Sequence, residues 1–284
     1  MLKPKYLKIK DFNRKKYLET LNLSKKYKLN TVCLSANCPN RYHCFSSSTA
    51  TFMILGEACT RNCHYCNIGN TKPNKVDEQE PKNLALAIKK LNLDYAVITS
   101  VSRDDLKDGG SSHFINCINE IRKINDSKIE VLIPDFKGNK VALEKLIEAK
   151  PEIINHNIET VKELFPKLRP QGNFDRSLIL LKTIKNINSD IITKSGLMVG
   201  LGETKAQILK TLKDLRDVNV DILSIGQYLA PSNKHAKLEK YYTEAEFLEL
   251  KKIAKEFGFK EVISGPMVRS SYKAKEVYEK VANT

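Results

Sequence analysis

TFMILGEACTRNCHYCNIG, residues 51–69, is the stretch that decides how this chain is read. It opens as an apolar, partly β-branched run from Thr51 to Leu55, passes Gly56, and then sets out Cys59, Cys63 and Cys66 in a C-x3-C-x2-C spacing. A short apolar run closed by glycine reads as a strand leaving a core. Three thiols on the loop that follows read as a ligand set. A structural zinc ion takes four ligands, usually as two C-x-x-C pairs, and no fourth thiol follows here. Three thiolates suit a cubane 4Fe–4S cluster in which one iron stays open to another ligand, such as the amine and carboxylate of an amino acid.

Outward from this stretch the chain alternates between strand and helix. Strands are expected at 51–56, 95–101, 128–134, 152–158, 191–200, 222–229 and 261–265. Between them the apolar residues recur at helical spacing, as in Leu84, Ile88 and Leu91, in Ile208, Leu212 and Leu215, and in Phe247, Leu250, Ala254 and Phe257. Thr204 with Gln207 and Thr243 with Glu246 have the form of capping boxes. Such alternation implies parallel strands joined by right-handed crossovers. About six units fit, so the expected class is α/β, a partial (β/α)6 TIM-type barrel rather than a full barrel of about eight. Polar or glycine-rich residues follow each expected strand, and the loops at the other end are blander, which favours one catalytic mouth. Gly196, Gly200 and Gly202 lack dinucleotide-loop spacing and read as a tight strand-to-helix turn. The expected organisation is an N-terminal extension over 1–50, the barrel over 51–265, and a C-terminal tail over 266–284 that closes the barrel mouth.

Composition narrows the function classes. The 284 residues are 41% hydrophobic, enough for a sizeable core, and no apolar run approaches membrane-spanning length. The basic N-terminus has no apolar core or small-residue cleavage site, so cytoplasm is the expected compartment. There thiols stay reduced, and disulfides are not expected from the seven cysteines. Six of the seven fall between positions 33 and 66, which points to metal, whereas Cys117 reads as a buried structural residue. The formal charge of +15 is mostly a solvated lysine surface, and its sharper meaning is an acidic partner. Nucleic acid is not favoured, since there is no Trp, aromatics are 7%, and no recognition motif accompanies the basic residues. His113, His156 and His235 read as packed, hydrogen-bonded histidines.

The C-x3-C-x2-C motif, with Tyr65 before its last cysteine and a strand before its first, resembles the signature of the radical S-adenosylmethionine enzymes. A second set, Cys33, Cys38 and Cys44, is spaced C-x4-C-x5-C. Read alone it is a zinc knot one ligand short. Its spacing is similar to the auxiliary-cluster motif of the lipoyl synthase family. The blocks KPKYLKIK, SVSRDDLKDGG, PDFKGN, NHNIETV, LRPQGNFDRSL, KSGLMVGLGET, IGQYLAPSNKH, YYTEAEF and GPMVRSSYKA resemble that family's blocks in the family's order. Departures fall at Tyr6, Leu34, His43 and Phe45, none of which is a cluster ligand.

The resemblance implies a sulfurtransferase with two 4Fe–4S clusters and S-adenosylmethionine. It implies that the cluster on Cys59, Cys63 and Cys66 reduces S-adenosylmethionine to a 5′-deoxyadenosyl radical, which takes hydrogen from carbons 6 and 8 of an octanoyl chain. That chain is carried on a lysine of a lipoyl carrier domain or carrier protein. It implies that the auxiliary cluster on Cys33, Cys38 and Cys44 donates the sulfurs, with a serine of RSSY as fourth ligand: Ser271, or its neighbour Ser270. Partners implied are the octanoylated carrier, an electron donor such as ferredoxin or flavodoxin, and an iron–sulfur carrier for cluster repair. Asn157, Glu159, Arg176, Lys194 and Gln227, polar residues near expected strand ends, are candidates to hold the charged groups of S-adenosylmethionine. The readings weighed against this one are another radical sulfur-inserting or methylthio-transferring enzyme and, outside enzymes, a zinc-stabilised basic binding module.

Overall fold

The computed structural model describes Pro4, residues 12–46 and residues 50–283; Tyr6 and most of KPKYLKIK lie outside the described residues. The eight strands hydrogen-bond in chain order in one sheet. The chain divides into two compact units.

The first unit, among the described residues, comprises 12–46, 50–61 and 67–154. In order it carries α1 (Arg14–Lys26), β1 (Asn30–Thr31), α2 (Val32–Ser35), α3 (Arg41–Ser46), β2 (Thr51–Ile54), α4 (Glu80–Lys90), β3 (Tyr95–Ser100), α5 (Ser111–Ile124), β4 (Lys128–Leu132) and α6 (Lys140–Glu148), with β5 (Ile153–Asn155) at its boundary. Strands β2, β3 and β4 are parallel, with Phe52 opposite Ile98 and Ile98 opposite Val131. All four residues of β2 are buried, as strands covered on both faces require. Leu84 and Ile88 of α4 and Phe114, Cys117, Ile118 and Ile121 of α5 are fully buried, each large apolar side chain contributing about 1.5–3 kcal/mol. The two-residue strand β1 runs antiparallel to β2, a pairing the sequence pattern did not mark because it is too short to show a period. At the N-terminus, Asn13 caps α1, and the buried Thr20 hydroxyl donates to the Phe45 carbonyl of α3 (2.9 Å). The rings of Phe12, Tyr17, Tyr42 and Phe45 pack between these helices.

The second unit, among the described residues, comprises Pro4, 62–66 and 155–283. It carries α7 (Phe165–Leu168), α8 (Phe174–Ile187), β6 (Ile192–Val199), α9 (Lys205–Asp217), β7 (Ile222–Gln227), α10 (Glu244–Glu256), β8 (Glu261–Gly265) and α11 (Ala274–Ala282). Strands β6, β7 and β8 are parallel, with Gly196 opposite Ser224 and Ile225 opposite Ser264. Both capping boxes form, at the starts of α9 and α10. Gly200 and Gly202 take φ of 104° and 107°, and the Glu203 carboxylate accepts the Gly200 and Leu201 N–H groups, so this is the tight turn expected. Phe257 departs from its expected stripe: it caps α10 and is 39% exposed.

The helices α4, α5, α6, α8, α9 and α10 each follow one strand and lead to its neighbour in the sheet, which gives the six strand–helix units expected. The strand expected over 152–158 is cut to three residues. The Ile158 N–H donates to the Ser195 hydroxyl (3.0 Å) instead of a strand backbone, Glu159 turns to φ 69°, and Glu159 then rejoins the sheet beside Leu197. Among the described residues no helix is long and apolar enough to cross a membrane.

Candidate active site

In the first unit, α2 presents Cys33, the turn after it Cys38, and α3 Cys44. All three are free thiols. Burial pushes the Cys33 thiol up to about 11, against Thr51 hydrogen bonds that lower it and with the Cys38 charge adding to the rise. Burial pushes Cys44 up to about 12, and the charges of Cys33 and Cys38 raise it further. Cys33 and Cys44, which burial above all holds protonated, become thiolates only around added positive charge, which iron supplies. The donor set therefore fits an iron–sulfur cluster. Among the described residues no group of three Cys, His, Asp or Glu side chains is gathered to hold a single metal ion. Of the departures nearby, Phe45 is fully buried against Tyr17, which gives it a packing role, whereas His43 is exposed.

The same unit launches the loop that carries Cys59. Leu55 and Gly56 take φ of 67° and 90°, left-handed backbone that a leucine adopts only under constraint. The constraint is visible. The Leu55 N–H donates to Glu80 Oε2 (2.8 Å), which also meets His113 Nε2 (2.7 Å), and Arg103 donates to the Leu55 carbonyl (3.3 Å). Beyond it the Cys59 N–H donates to the Gly69 carbonyl, and the Arg61 N–H reaches the Cys59 sulfur at 3.4 Å. The Arg61 guanidinium binds Asp104 with two bonds of 2.8 Å and Asp135 with one of 2.5 Å. Burial works against its charge, but the two carboxylates outweigh that and hold its pKa above the ordinary value.

In the second unit the Cys66 N–H donates to the Cys63 carbonyl (3.0 Å), closing a turn. The His64 N–H donates to the Leu168 carbonyl (2.9 Å), and the His64 carbonyl accepts from Ala236 (2.7 Å). Tyr65 packs on the cluster formed by Leu168, Leu201 and Tyr228. Burial raises its pKa well above the ordinary phenol value, against the opposing charge of Arg169. His235 is no bystander in this unit: its Nε2 meets the Cys66 carbonyl at 3.1 Å and its Nδ1 the Ser232 hydroxyl at 2.9 Å. His156 and His113 are buried and hydrogen-bonded, as expected, on Ser177 and Glu80.

A cavity of about 80 Å³ in the second unit is lined by Asn157, Glu159, Gly196, Ser224, Arg269 and Ser270 among others. Asn157 donates to Glu159 Oε1 (3.1 Å) and accepts the Ser270 hydroxyl (2.5 Å), while Arg169 donates to the Asn157 carbonyl (3.1 Å). Burial raises the Glu159 carboxyl, opposed by Arg169 and by the Asn157 amide. Two glycines admit the tail to this floor. A Cβ on Gly226 would stand 2.2 Å from the Val268 carbonyl oxygen, and one on Gly196 would stand 2.9 Å from the Ser270 hydroxyl. A carboxylate, an amide and two serine hydroxyls make this floor polar, and about 80 Å³ takes in only a small part of a molecule the size of S-adenosylmethionine.

Of the five polar residues expected to hold that cofactor, Asn157 and Glu159 line the cavity and the other three do not. Gln227 is fully buried, and its amide is committed to backbone: Nε2 to the Val199, Tyr228 and Lys240 carbonyls, Oε1 to the Tyr242 N–H. Arg176 lies in the first turn of α8 and donates to the Gln171 carbonyl. Lys194 is buried within β6. Ser271 is half-buried in the turn before α11. Sequence reasoning passed over Arg169, Ser224 and Arg269. Only the LRPQGN and RSSY blocks around two of them gave any signal.

A family profile described as the Radical SAM superfamily matches residues 53–215. A lipoyl synthase from Caldanaerobacter subterraneus subsp. tengcongensis is 49% identical over 276 residues, covering 96% of this chain and 95% of that protein. One from Alkaliphilus metalliredigens is 49% identical over 279 residues, covering 98% and 96%. Among solved structures, HydG, a maturase of the FeFe-hydrogenase, superposes with TM-score 0.60 at 14% identity, covering 95% of this chain and 67% of that one. Methylornithine synthase (PylB) gives 0.56 at 15%, covering 91% and 84%. At such identity the likeness concerns fold alone, and the fold is the partial-barrel α/β class expected. With two full-length relatives at nearly half identity, this chain belongs to the lipoyl synthase family of the radical SAM superfamily.

Proposed function

We propose that this enzyme, a radical S-adenosylmethionine sulfurtransferase, inserts two sulfur atoms at carbons 6 and 8 of an octanoyl-lysine on a carrier protein, and that two 4Fe–4S clusters divide the work. Cys59, Cys63 and Cys66 hold the cluster that binds S-adenosylmethionine. Cys33, Cys38 and Cys44, with Ser271 or its neighbour Ser270, hold the one that supplies sulfur. The functional segments follow: extension 1–50, barrel 51–265 and tail 266–284. Bound there, clusters and cofactor supply hydrogen-atom abstraction and sulfur, chemistry that no side chain performs.

The chain's own residues bind, orient and exclude water. Asn157 and Glu159 offer acceptors and a donor to the cofactor's polar groups, and Arg169 holds the Asn157 carbonyl. Tyr65, Leu201 and Tyr228 keep an apolar wall beside the cysteine loop. The lysine-rich surface steers an acidic carrier domain, and cytoplasm, a flavodoxin or ferredoxin donor and an iron–sulfur carrier complete the setting. The observation that carries the reading is the presence of both triads as free thiols in a chain of this family. The test is anaerobic reconstitution with iron and sulfide, then reaction with an octanoyl-lysyl carrier peptide and mass spectrometry. About eight irons per chain and a doubly thiolated peptide are expected. A colourless zinc protein that leaves the peptide unchanged would sink the proposal.

A further inference from the structure

We propose that His235, with Ser232 behind it, is a positioning residue for the cysteine loop: by holding the Cys66 carbonyl it fixes how the Cys66 sulfur is presented to its cluster. This rests on the reading of Cys66 as a ligand. A carbonyl only accepts, so the bond at 3.1 Å requires the proton on His235 Nε2. Nδ1 is then the acceptor, and the Ser232 hydroxyl donates to it at 2.9 Å, which selects that tautomer. Ser232 is itself placed by its neighbours, accepting the Lys234 N–H on its hydroxyl and the His235 N–H on its carbonyl.

Cys66 is thereby held at both ends of its backbone. Its N–H is committed to the Cys63 carbonyl and its carbonyl to His235. The grip extends one turn back, where the Ala236 N–H donates to the His64 carbonyl at 2.7 Å and the Tyr228 hydroxyl donates to the Ala236 carbonyl at 2.8 Å. Residues 62–66 have no helix or strand of their own, so their geometry comes from these outside partners. Partners beyond the ligands typically change metal affinity or activity by ~10–100-fold when removed.

The experiment uses the full chain with both clusters loaded. Electron paramagnetic resonance of the reduced protein is recorded with and without S-adenosylmethionine, because only a cluster with an open iron responds. 5′-Deoxyadenosine and thiolated peptide are measured in parallel. His235→Ala should alter the cofactor-induced change in the spectrum and slow 5′-deoxyadenosine formation ~10-fold. It should leave thiolation per 5′-deoxyadenosine unchanged, since the auxiliary triad is untouched. His235→Gln, whose amide N–H can reach the same carbonyl, should restore the spectrum and bring the rate within about twofold. Ser232→Ala should fall between them. A spectrum and rate unaffected by His235→Ala would overturn the proposal, as would equal loss from His235→Ala and His235→Gln with lowered thermal stability, which marks a merely structural histidine. Retention of the cofactor-sensitive signal in Cys66→Ala would instead remove the ligand reading beneath it.

Discussion

The segment with Cys33, Cys38 and Cys44 and the segment with Cys59, Cys63 and Cys66 offer the same number of thiols on unlike scaffolds. The first is built on regular structure: two of its cysteines stand on short helices, tied to α1 by the Thr20 bond and an aromatic cluster. Its Cys33 and Cys44 thiols are pushed up by burial first and by neighbouring thiol charge second. The second is irregular loop held from outside by side-chain clamps: Glu80 and Arg103 on the Leu55 backbone, His235 on the Cys66 carbonyl, and Asp104 and Asp135 on the Arg61 guanidinium. Side-chain clamps on a loop set ligand orientation closely, as a cluster that must bind and reduce a cofactor requires. Buried thiols such as Cys33 and Cys44 ionise readily only beside added positive charge, which makes the hold of that triad depend on iron.

The most direct way to break this contrast is to exchange the phenotypes. Cys59→Ala, Cys63→Ala or Cys66→Ala should abolish 5′-deoxyadenosine formation. Cys33→Ala, Cys38→Ala or Cys44→Ala should leave it and abolish thiolation of the peptide. Both products are quantified from one reaction, and identical phenotypes would end the division of labour.

Ser271→Ala should reduce doubly thiolated product ~10-fold or more while cofactor cleavage persists, and Ser270→Ala should be milder. Because Ser270 is the one bonded to Asn157, the opposite ranking would move the auxiliary ligand by one residue.

Gly226→Ala tests whether the tail must lie on β7. The added methyl meets the Val268 carbonyl oxygen, so a loss of about 1–3 kcal/mol in unfolding free energy is expected, together with faster proteolysis of the tail. Wild-type stability would show that the tail gives way easily.

The iron-free protein should lose stability at alkaline pH. Cys33 and Cys44 have folded-state pKa values raised from 9.0 to about 11 and about 12. The stability tied to their protonated form is fully present below about 9 and is lost as pH rises through those values. Denaturant titrations from pH 8 to 12 should show this slope, and Cys33→Ala with Cys44→Ala should flatten it.

The smallest effect concerns the +15 charge. Association with a whole acidic carrier domain should slow as salt rises, while a short octanoyl peptide should be indifferent. Equal salt response for both would return the lysines to plain solvated surface.

The sequence by itself determined the period of the fold and the inventory of thiols. Apolar spacing marked Leu84 and Ile88 or Ile208 and Leu212 as buried faces, because helix packing needs only a local stripe. Capping boxes at Thr204 and Thr243 were legible because both partners lie within three residues. Tertiary structure decided what depends on partners far along the chain. Glu80 and His113 are bland in sequence, yet together they hold the left-handed Leu55. Gln227 has the composition of a ligand-binding residue but is committed to holding Lys240 and Tyr242, since a buried amide must satisfy all its hydrogen bonds. His235 looked like any packed histidine until the chain brought it to Cys66, 169 residues away. Periodicity is a property of neighbours in sequence, whereas a hydrogen bond across the fold leaves no periodic trace.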